Sequence, residues 1–158
     1  MSSRLFQEVR ERRGLCYSIY SSCWGLADSG FFSVHAATGP EMLGELIEVV
    51  SAEFRRAASE TPSGKEVERA KAQLKAGLLM GLESSGARAE QMARQMIVLD
   101  RLLSVDELIA RVEAVTPQTC REIAEYLVAT SAPTVALVGA GTKASQHLDV
   151  AARSLRLS

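Results

Sequence analysis

Two histidines, His35 and His147, are the first residues to consider for metal chemistry. Neither lies in H-x-x-H, in H-E-x-x-H or in the inverted spacing H-x-x-E-H, the patterns that place two imidazoles on one face of a helix. His35 falls in a segment with strand character, and His147 lies near the end of the sequence. We therefore expect structural or surface roles for both, and no metal site in this chain.

Nucleophilic and phosphate-binding motifs are also weak. The sequence contains no G-x-S-x-G, and Cys16 has basic neighbours but no base that the sequence reveals. The segment GAGTK at residues 139–143 lacks the spacer of a P-loop and the βαβ context of a dinucleotide fingerprint. It predicts a turn after a strand. Nucleotide binding through this segment is therefore an alternative that we do not expect.

Composition excludes several other classes. The 158 residues include 18 basic and 19 acidic side chains, a net charge of −1, which argues against a dedicated nucleic-acid or anionic-membrane partner. No apolar run approaches the length of a membrane span. The three cysteines form no C-x-x-C pair, and their odd number makes a complete internal set of disulfides impossible, so we expect free thiols in a reducing compartment. We expect a cytoplasmic protein, or one of an organelle matrix if the source is eukaryotic.

The elements that position the N-terminal residues begin with a predicted helix over residues 3–13. Ser2 or Ser3 can cap it, and Gly14 can end it. The next segment alternates, with Leu15, Tyr17 and Ile19 on one face, which predicts a strand. A second predicted strand over residues 31–38 follows a loop bounded by glycines, so the pair is expected to form an antiparallel hairpin.

The rest of the chain predicts mainly helices. Their start signals are Pro40, the capping boxes at Ser63 and Ser104, the interruption at residues 84–86, and Pro117. The apolar run at residues 134–138 predicts a buried strand, and residues 148–155 predict a loosely held tail helix. We expect an α+β domain over residues 1–141, an antiparallel sheet covered by helices, with a tail over residues 142–158.

Several segments together resemble one family. The segment SSRLFQEVRERRGLCYSIYS at residues 2–21 resembles the start of the C-terminal domain of the pitrilysin and mitochondrial-processing-peptidase family, the inverzincin zinc metallopeptidases. Residues 66–83, 88–95, 103–109 and 115–116 continue the likeness in the family's order, so it runs from residue 2 to about residue 141. Their combination is more specific than any one motif.

The resemblance implies the C-terminal, substrate-binding half of a two-domain zinc metalloendopeptidase. The N-terminal half of such an enzyme binds zinc through H-x-x-E-H and a downstream Glu, and the metal polarises the attacking water. The C-terminal half contributes an Arg and a Tyr seven residues apart, which match Arg10 and Tyr17 here. In the family this pair binds the substrate backbone and supports the oxyanion. The resemblance assigns no catalytic residue and no metal ligand to this chain.

The sequence departs from the family pattern because the zinc-binding half and the first strands of the C-terminal domain are absent. We therefore expect an N-terminally incomplete domain that is inactive alone, with Met1 either an internal methionine or a start assigned too late. Its expected partners are a peptide substrate, a zinc-binding domain or partner subunit, and a second copy paired through an exposed sheet edge. The alternative function is a non-catalytic assembly or partner subunit of the same family.

Overall fold

The structure is a computed structural model that describes residues 3–130 and 133–154. Two sequence-based expectations, a cap at Ser2 and a tail helix that extends to Leu155, lie outside the described residues. The elements of the described chain are a π-helix (Phe6–Glu11), strands β1 (Ser18–Gly25) and β2 (Gly30–Ala37), helices α1 (Leu43–Ser59), α2 (Gly64–Gly81), α3 (Ser85–Leu99), α4 (Val105–Glu113) and α5 (Pro117–Thr130), a 3₁₀ turn (Gly141–Lys143), and α6 (Ala144–Ser154). This α+β architecture confirms the predicted fold class.

The predicted hairpin is confirmed, but its first strand begins later than expected. β1 and β2 form a two-stranded antiparallel sheet, closed by a turn in which the Leu26 N–H donates to the Ser29 carbonyl at 2.8 Å. Leu15 and Cys16 are both buried although they are adjacent, whereas Tyr17 is exposed. The predicted alternation of Leu15, Tyr17 and Ile19 on one face was therefore wrong at Tyr17, because residues 15–17 precede the strand.

The helix boundaries follow the predicted caps closely. The hydroxyls of Ser63, Ser84 and Ser104 each accept a hydrogen bond from the backbone N–H three residues later. Such a bond satisfies one of the N–H groups that a helix leaves unpaired at its start. α1 begins at Leu43, after a turn, rather than at Pro40. Within the described residues, α3 and α5 contain no buried residue, and Ile123 of α5 is 56% exposed.

The predicted strand at residues 134–138 is absent from the described structure, where this segment is irregular. Val135 and Leu137 are partly buried and pack against the core, while Val138 is fully exposed, so side chains still alternate in part. Residues of β2 and of this segment line one cavity. The apolar pattern is present, but in the described chain the sheet contains β1 and β2 alone, so this segment has no strand partner.

The chain divides into two compact units, and each has its own core. The first comprises Met1–Cys23, Phe32–Glu60 and Arg121–Ser158, and the second comprises Trp24–Phe31 and Thr61–Cys120. One core cluster of the first unit joins the N-terminal segment to α1, through Val9, Leu15, Cys16, Ile19, Leu46 and Val50. In the second unit, α2 packs against α4, and the Lys75 ammonium forms an ion pair with Glu113.

A second cluster of the first unit holds α6 against α1. Ala151 is completely buried and packs in this cluster with Leu43, Ile47 and Ala140. The segment predicted as a loosely held tail therefore contains a helix that begins earlier, at Ala144, and contributes to a core. The expected division into a domain over residues 1–141 and a tail over residues 142–158 stays a prediction.

Candidate functional site

Arg10 lies on the π-helix, and the burial of its neighbour fixes the orientation of that helix. The Arg12 N–H donates to the Gln7 carbonyl at 3.0 Å, the i to i−5 bond of a π-helix, and Val9 is completely buried. The Ser3 hydroxyl accepts from the Phe6 N–H at 3.3 Å, which confirms the predicted cap. π-Helical turns occur often at functional sites. Because Val9 points into the core, Arg10 is directed outward and is exposed.

A glycine turn then brings the chain back toward Arg10. Gly14 has φ of +63°, a left-handed conformation that glycine adopts without the steric cost of a Cβ. Its N–H donates to the Arg10 carbonyl at 3.0 Å, and the Leu15 N–H donates to the Val9 carbonyl at 2.9 Å. The turn is therefore tied to the helix by its own backbone.

Tyr17 follows two buried residues and is itself strongly exposed. Leu15 and Cys16 anchor the segment in the core, whereas 81% of the Tyr17 surface is accessible. The Tyr17 N–H donates to the Ala37 carbonyl at 2.8 Å, at the end of β2. The main chain of Tyr17 is thus hydrogen-bonded to the sheet, while its phenol is accessible to another molecule.

Arg10, Phe6 and Tyr17 form one surface group. The Arg10 Cζ atom lies 5.0 Å from the centre of the Phe6 ring and 5.8 Å from the centre of the Tyr17 ring. Cation–π attraction at these distances restrains the guanidinium without using its hydrogen-bond donors on an acceptor. The structure thus brings together the two residues predicted from the sequence, and adds Phe6.

Phe6 was not predicted as a site residue. The signal that could have identified its contact is the spacing of Phe6 and Arg10, four residues apart on a helix, which places two side chains on one face.

Arg10 differs from its neighbours Arg12 and Arg13 in its charged partners. Arg12 forms an ion pair with Glu8 at 2.5 Å, and Arg13 approaches Glu45 at 4.0 Å. Among the residues that the structure describes, no carboxylate pairs with Arg10. Burial raises the pKa of the Cys16 thiol, an effect that the nearby Arg10 charge partly opposes. A free guanidinium beside an exposed phenol can donate hydrogen bonds to one oxygen atom of a ligand.

The histidines and the 139–143 segment form no comparable site. His35 stacks on Tyr20, with 4.9 Å between ring centres, and its Nε2 lies 3.0 Å from the Ser33 hydroxyl. Gly139 and Gly141 have positive φ values, and Gly141 begins the 3₁₀ turn, but the strand that this turn was predicted to end is absent from the described residues. Over residues 3–130 and 133–154, no group of three or more His, Cys, Asp or Glu could hold a metal ion. Zinc therefore does not fit the described residues of this chain.

None of the described helices combines the length and the apolar character that a membrane span requires. The three cysteines are free, with Cys16 buried, Cys23 exposed and Cys120 partly exposed.

A family model described as the peptidase M16 inactive domain matches residues 1–74, which include Arg10 and Tyr17. An uncharacterized zinc protease of Streptomyces coelicolor is 36% identical over 139 residues, 88% of this chain and 30% of that protein. The beta subunit of the mitochondrial-processing peptidase of Pongo abelii is 30% identical over 139 residues, again 88% of this chain and 28% of that protein. This chain thus spans less than a third of the length of either relative.

A structural comparison agrees with the fold. Complex III2 from Candida albicans contains a chain that matches with a TM-score of 0.71 and 22% identity, over 80% of this chain and 30% of that chain. At this identity the likeness concerns the fold alone.

Proposed function

Because this chain belongs to the peptidase M16 (pitrilysin) family as a C-terminal, inactive domain, we propose that it is the substrate-binding half of a zinc metalloendopeptidase. In this role the chain holds a peptide near the bond to be cleaved and supports the oxyanion that forms there. The relatives are named zinc proteases and a processing peptidase, which supports hydrolysis at the level of the family. The single observation that carries the proposal is the arrangement of Arg10 beside Tyr17.

The proposed chemistry needs no proton transfer by this chain. The Tyr17 hydroxyl donates a hydrogen bond, and the Arg10 guanidinium donates others while keeping its charge. Both donors gain strength when the substrate carbonyl acquires negative charge, because a charge-assisted hydrogen bond is stronger than a neutral one. One such donor typically contributes about 2.7–4 kcal/mol to transition-state stabilisation.

The exposure of the two side chains also supports this role. Tyr17 is exposed although most of its neighbours in sequence are buried, and Phe6 and Tyr17 restrain the Arg10 guanidinium. A donor that is restrained before the substrate binds needs little reorganisation during the reaction. Because zinc does not fit the described residues here, the metal chemistry is assigned to a zinc-binding domain or partner subunit of the same family.

The proposal is tested by reconstitution with a zinc-binding half of the family. Hydrolysis of a quenched fluorescent peptide is measured with each half alone, with both halves, and with a double variant, Arg10→Ala with Tyr17→Phe. We expect hydrolysis only when both halves are present, and a large loss with the double variant. If the complex assembles and the double variant cleaves as fast as the original chain, the proposed roles are wrong and the chain acts as an assembly subunit.

A further inference from the structure

Two pairs of side chains face each other across β1 and β2 on one face of the hairpin. Tyr20 and His35 stack, with 4.9 Å between ring centres and 14° between ring planes. The Ser22 and Ser33 hydroxyls lie 2.8 Å apart, and the Ser33 hydroxyl lies 3.0 Å from the His35 Nε2 atom. The imidazole is therefore held by a ring contact and by a hydrogen bond. We call these four residues the outer strip.

The outer strip lies on the side of the sheet opposite the core. Ile19 is buried in the core cluster of the first unit, and Val34 packs against that cluster. Because successive residues of a strand point to opposite faces, Tyr20 and His35 point away from this core. Both are exposed, and 58% of the Tyr20 surface is accessible. The stack covers one face of the Tyr20 ring and leaves the rest of the ring open to a ligand.

A β-bulge connects the outer strip to Tyr17. The register set by the two pairs of the outer strip places Ser18 opposite Ala37. The Tyr17 N–H also donates to the Ala37 carbonyl, at 2.8 Å, so two residues of one chain segment oppose one residue of β2. That arrangement is a bulge, which redirects a side chain at the end of a strand. It accounts for the exposure of Tyr17, which strict alternation would place on the buried side with Ile19.

We propose that the outer strip is a subsite for an aromatic side chain of the peptide substrate, an assignment that rests on the proposed function because it places Tyr17 beside the bond to be cleaved. Strand residues rise about 3.4 Å each, so Tyr20 lies about 7–10 Å along the strand from Tyr17. An extended peptide places the side chains of one face about 7 Å apart. A substrate held at Tyr17 therefore reaches Tyr20 with a side chain within about two residues of the cleaved bond.

The composition of the strands favours an aromatic side chain over a charged one. β1 and β2 contain no Asp, Glu, Lys or Arg. A positively charged side chain would therefore find no carboxylate on either strand. A carboxylate would compete for the Arg10 guanidinium, which the proposed function uses to hold the oxyanion. An aromatic ring meets neither difficulty, and it gains from stacking on Tyr20 in addition to the area that it buries.

The test uses quenched fluorescent peptides with a single Phe at one of six positions, three on each side of the cleaved bond, among Ala and Thr residues. This chain is reconstituted with a zinc-binding half, and kcat/KM for each peptide is divided by that of the peptide with Ala at the same position. We expect one position within two residues of the bond at which Phe raises kcat/KM about tenfold. Cyclohexylalanine, which is similar in size but has no π system, should raise it less.

The ring of Tyr20 should account for this preference. Tyr20→Leu keeps an apolar side chain but loses the ring, so the ratio of Phe to Ala peptides should fall from about tenfold to about threefold or less. The matched control is Tyr126→Leu, at an exposed tyrosine of α5, which should keep the original ratio. Circular dichroism verifies that both variants fold.

A binding measurement on the isolated original chain separates this subsite from the proposed function. A blocked peptide with one Phe is added at millimolar concentration, and NMR follows the ring protons of His35, with those of His147 as the internal reference. A ring that stacks on Tyr20 lies close to His35 and shifts its resonances. We expect the Phe peptide to shift the His35 signals clearly more than the Ala peptide does, and to leave His147 unchanged.

Three results would overturn the proposal. An active reconstituted enzyme that cleaves the Phe and Ala peptides equally well would show that no aromatic subsite lies near the bond. A preference for Phe that survives in Tyr20→Leu would place the subsite elsewhere. Faster cleavage of a peptide with Arg or Glu at the same position would show that the subsite recognises charge.

Failure of the proposed function has a different signature. It shows as no hydrolysis after reconstitution, or as full activity of the double variant of Arg10 and Tyr17. In that event the NMR titration decides the present proposal, because equal shifts of His35 with the Phe and Ala peptides would contradict an aromatic subsite at the outer strip.

Discussion

The guanidinium of Arg10 lies against the ring of Tyr17, with 5.8 Å between the Cζ atom and the ring centre. The two residues are separated by a π-helical end, a left-handed Gly14 and two buried side chains. Their proximity is thus a product of the whole turn.

The N-terminal turn depends on the burial of Val9. Val9→Ala removes two methyl groups from a completely buried site and should lower the free energy of unfolding by about 2 kcal/mol. Urea denaturation followed by circular dichroism measures this change. The matched control is Val138→Ala, because Val138 is fully exposed and its truncation should have almost no effect. Equal effects of the two substitutions would contradict the described packing.

In the isolated chain, the pKa of the Cys16 thiol depends on the charge of Arg10. Burial raises the pKa of this thiol, and the Arg10 charge lowers it. Arg10→Ala should therefore raise the Cys16 pKa further and slow its alkylation by iodoacetamide at mildly alkaline pH, because the thiolate is the reacting form. Mass spectrometry of peptides separates Cys16 from the exposed Cys23. The control Arg13→Ala should alkylate at the rate of the original chain. If Arg10→Ala also alkylates at that rate, Arg10 does not influence this thiol.

Acid should weaken the start of α4 through Glu107. Hydrogen bonds from Arg101, and then from Arg111, lower the Glu107 pKa from 4.5 to about 2. A lowered pKa stabilises the folded state above the unfolded value, and that contribution is lost as the pH falls from about 4.5 towards 2. Unfolding free energy measured across this range should fall less steeply in Glu107→Gln than in the original chain.

The control for this titration is Glu90→Gln, because Glu90 is exposed and forms no ion pair with any residue in the described part of the chain. Its pH profile should follow that of the original chain. Identical slopes for Glu107→Gln and the original chain would mean that the ion pairs of Glu107 do not persist in solution.

Arg10 should contribute to catalysis through its planar guanidinium as well as through its charge. In the reconstituted enzyme, Arg10→Ala is expected to reduce kcat/KM by about 10²-fold, since a charged donor to the developing oxyanion is lost. Arg10→Lys keeps the charge but loses the planar group that contacts the Phe6 and Tyr17 rings, so it should restore only part of the rate. Arg13→Ala, which removes an exposed arginine of the same turn, should leave kcat/KM near its original value. Full activity of Arg10→Lys would contradict a role for the ring contacts.

The sequence predicted what depends on local chemistry. Ser63 and Ser104 cap helices as expected, because a serine hydroxyl needs only the next turn of its own chain to act. The prediction of a strand at residues 134–138 was wrong. Strand pairing requires a second backbone alongside, and an apolar pattern does not show whether one is present. Phe6 was missed as a neighbour of Arg10 although their spacing of four residues signals a shared helical face, whereas the π-helical register is not visible in composition or periodicity.

Tyr17→Phe in the reconstituted enzyme is the most direct test of the proposed function. It removes one hydroxyl from a residue that is 81% exposed, so the fold should be unaffected. If the hydroxyl supports the oxyanion, kcat should fall by about 10²–10³-fold with little change in KM. The control Tyr126→Phe, at an exposed tyrosine of α5, should retain full activity. An unchanged kcat in Tyr17→Phe, with assembly of the two halves verified, would contradict the proposal.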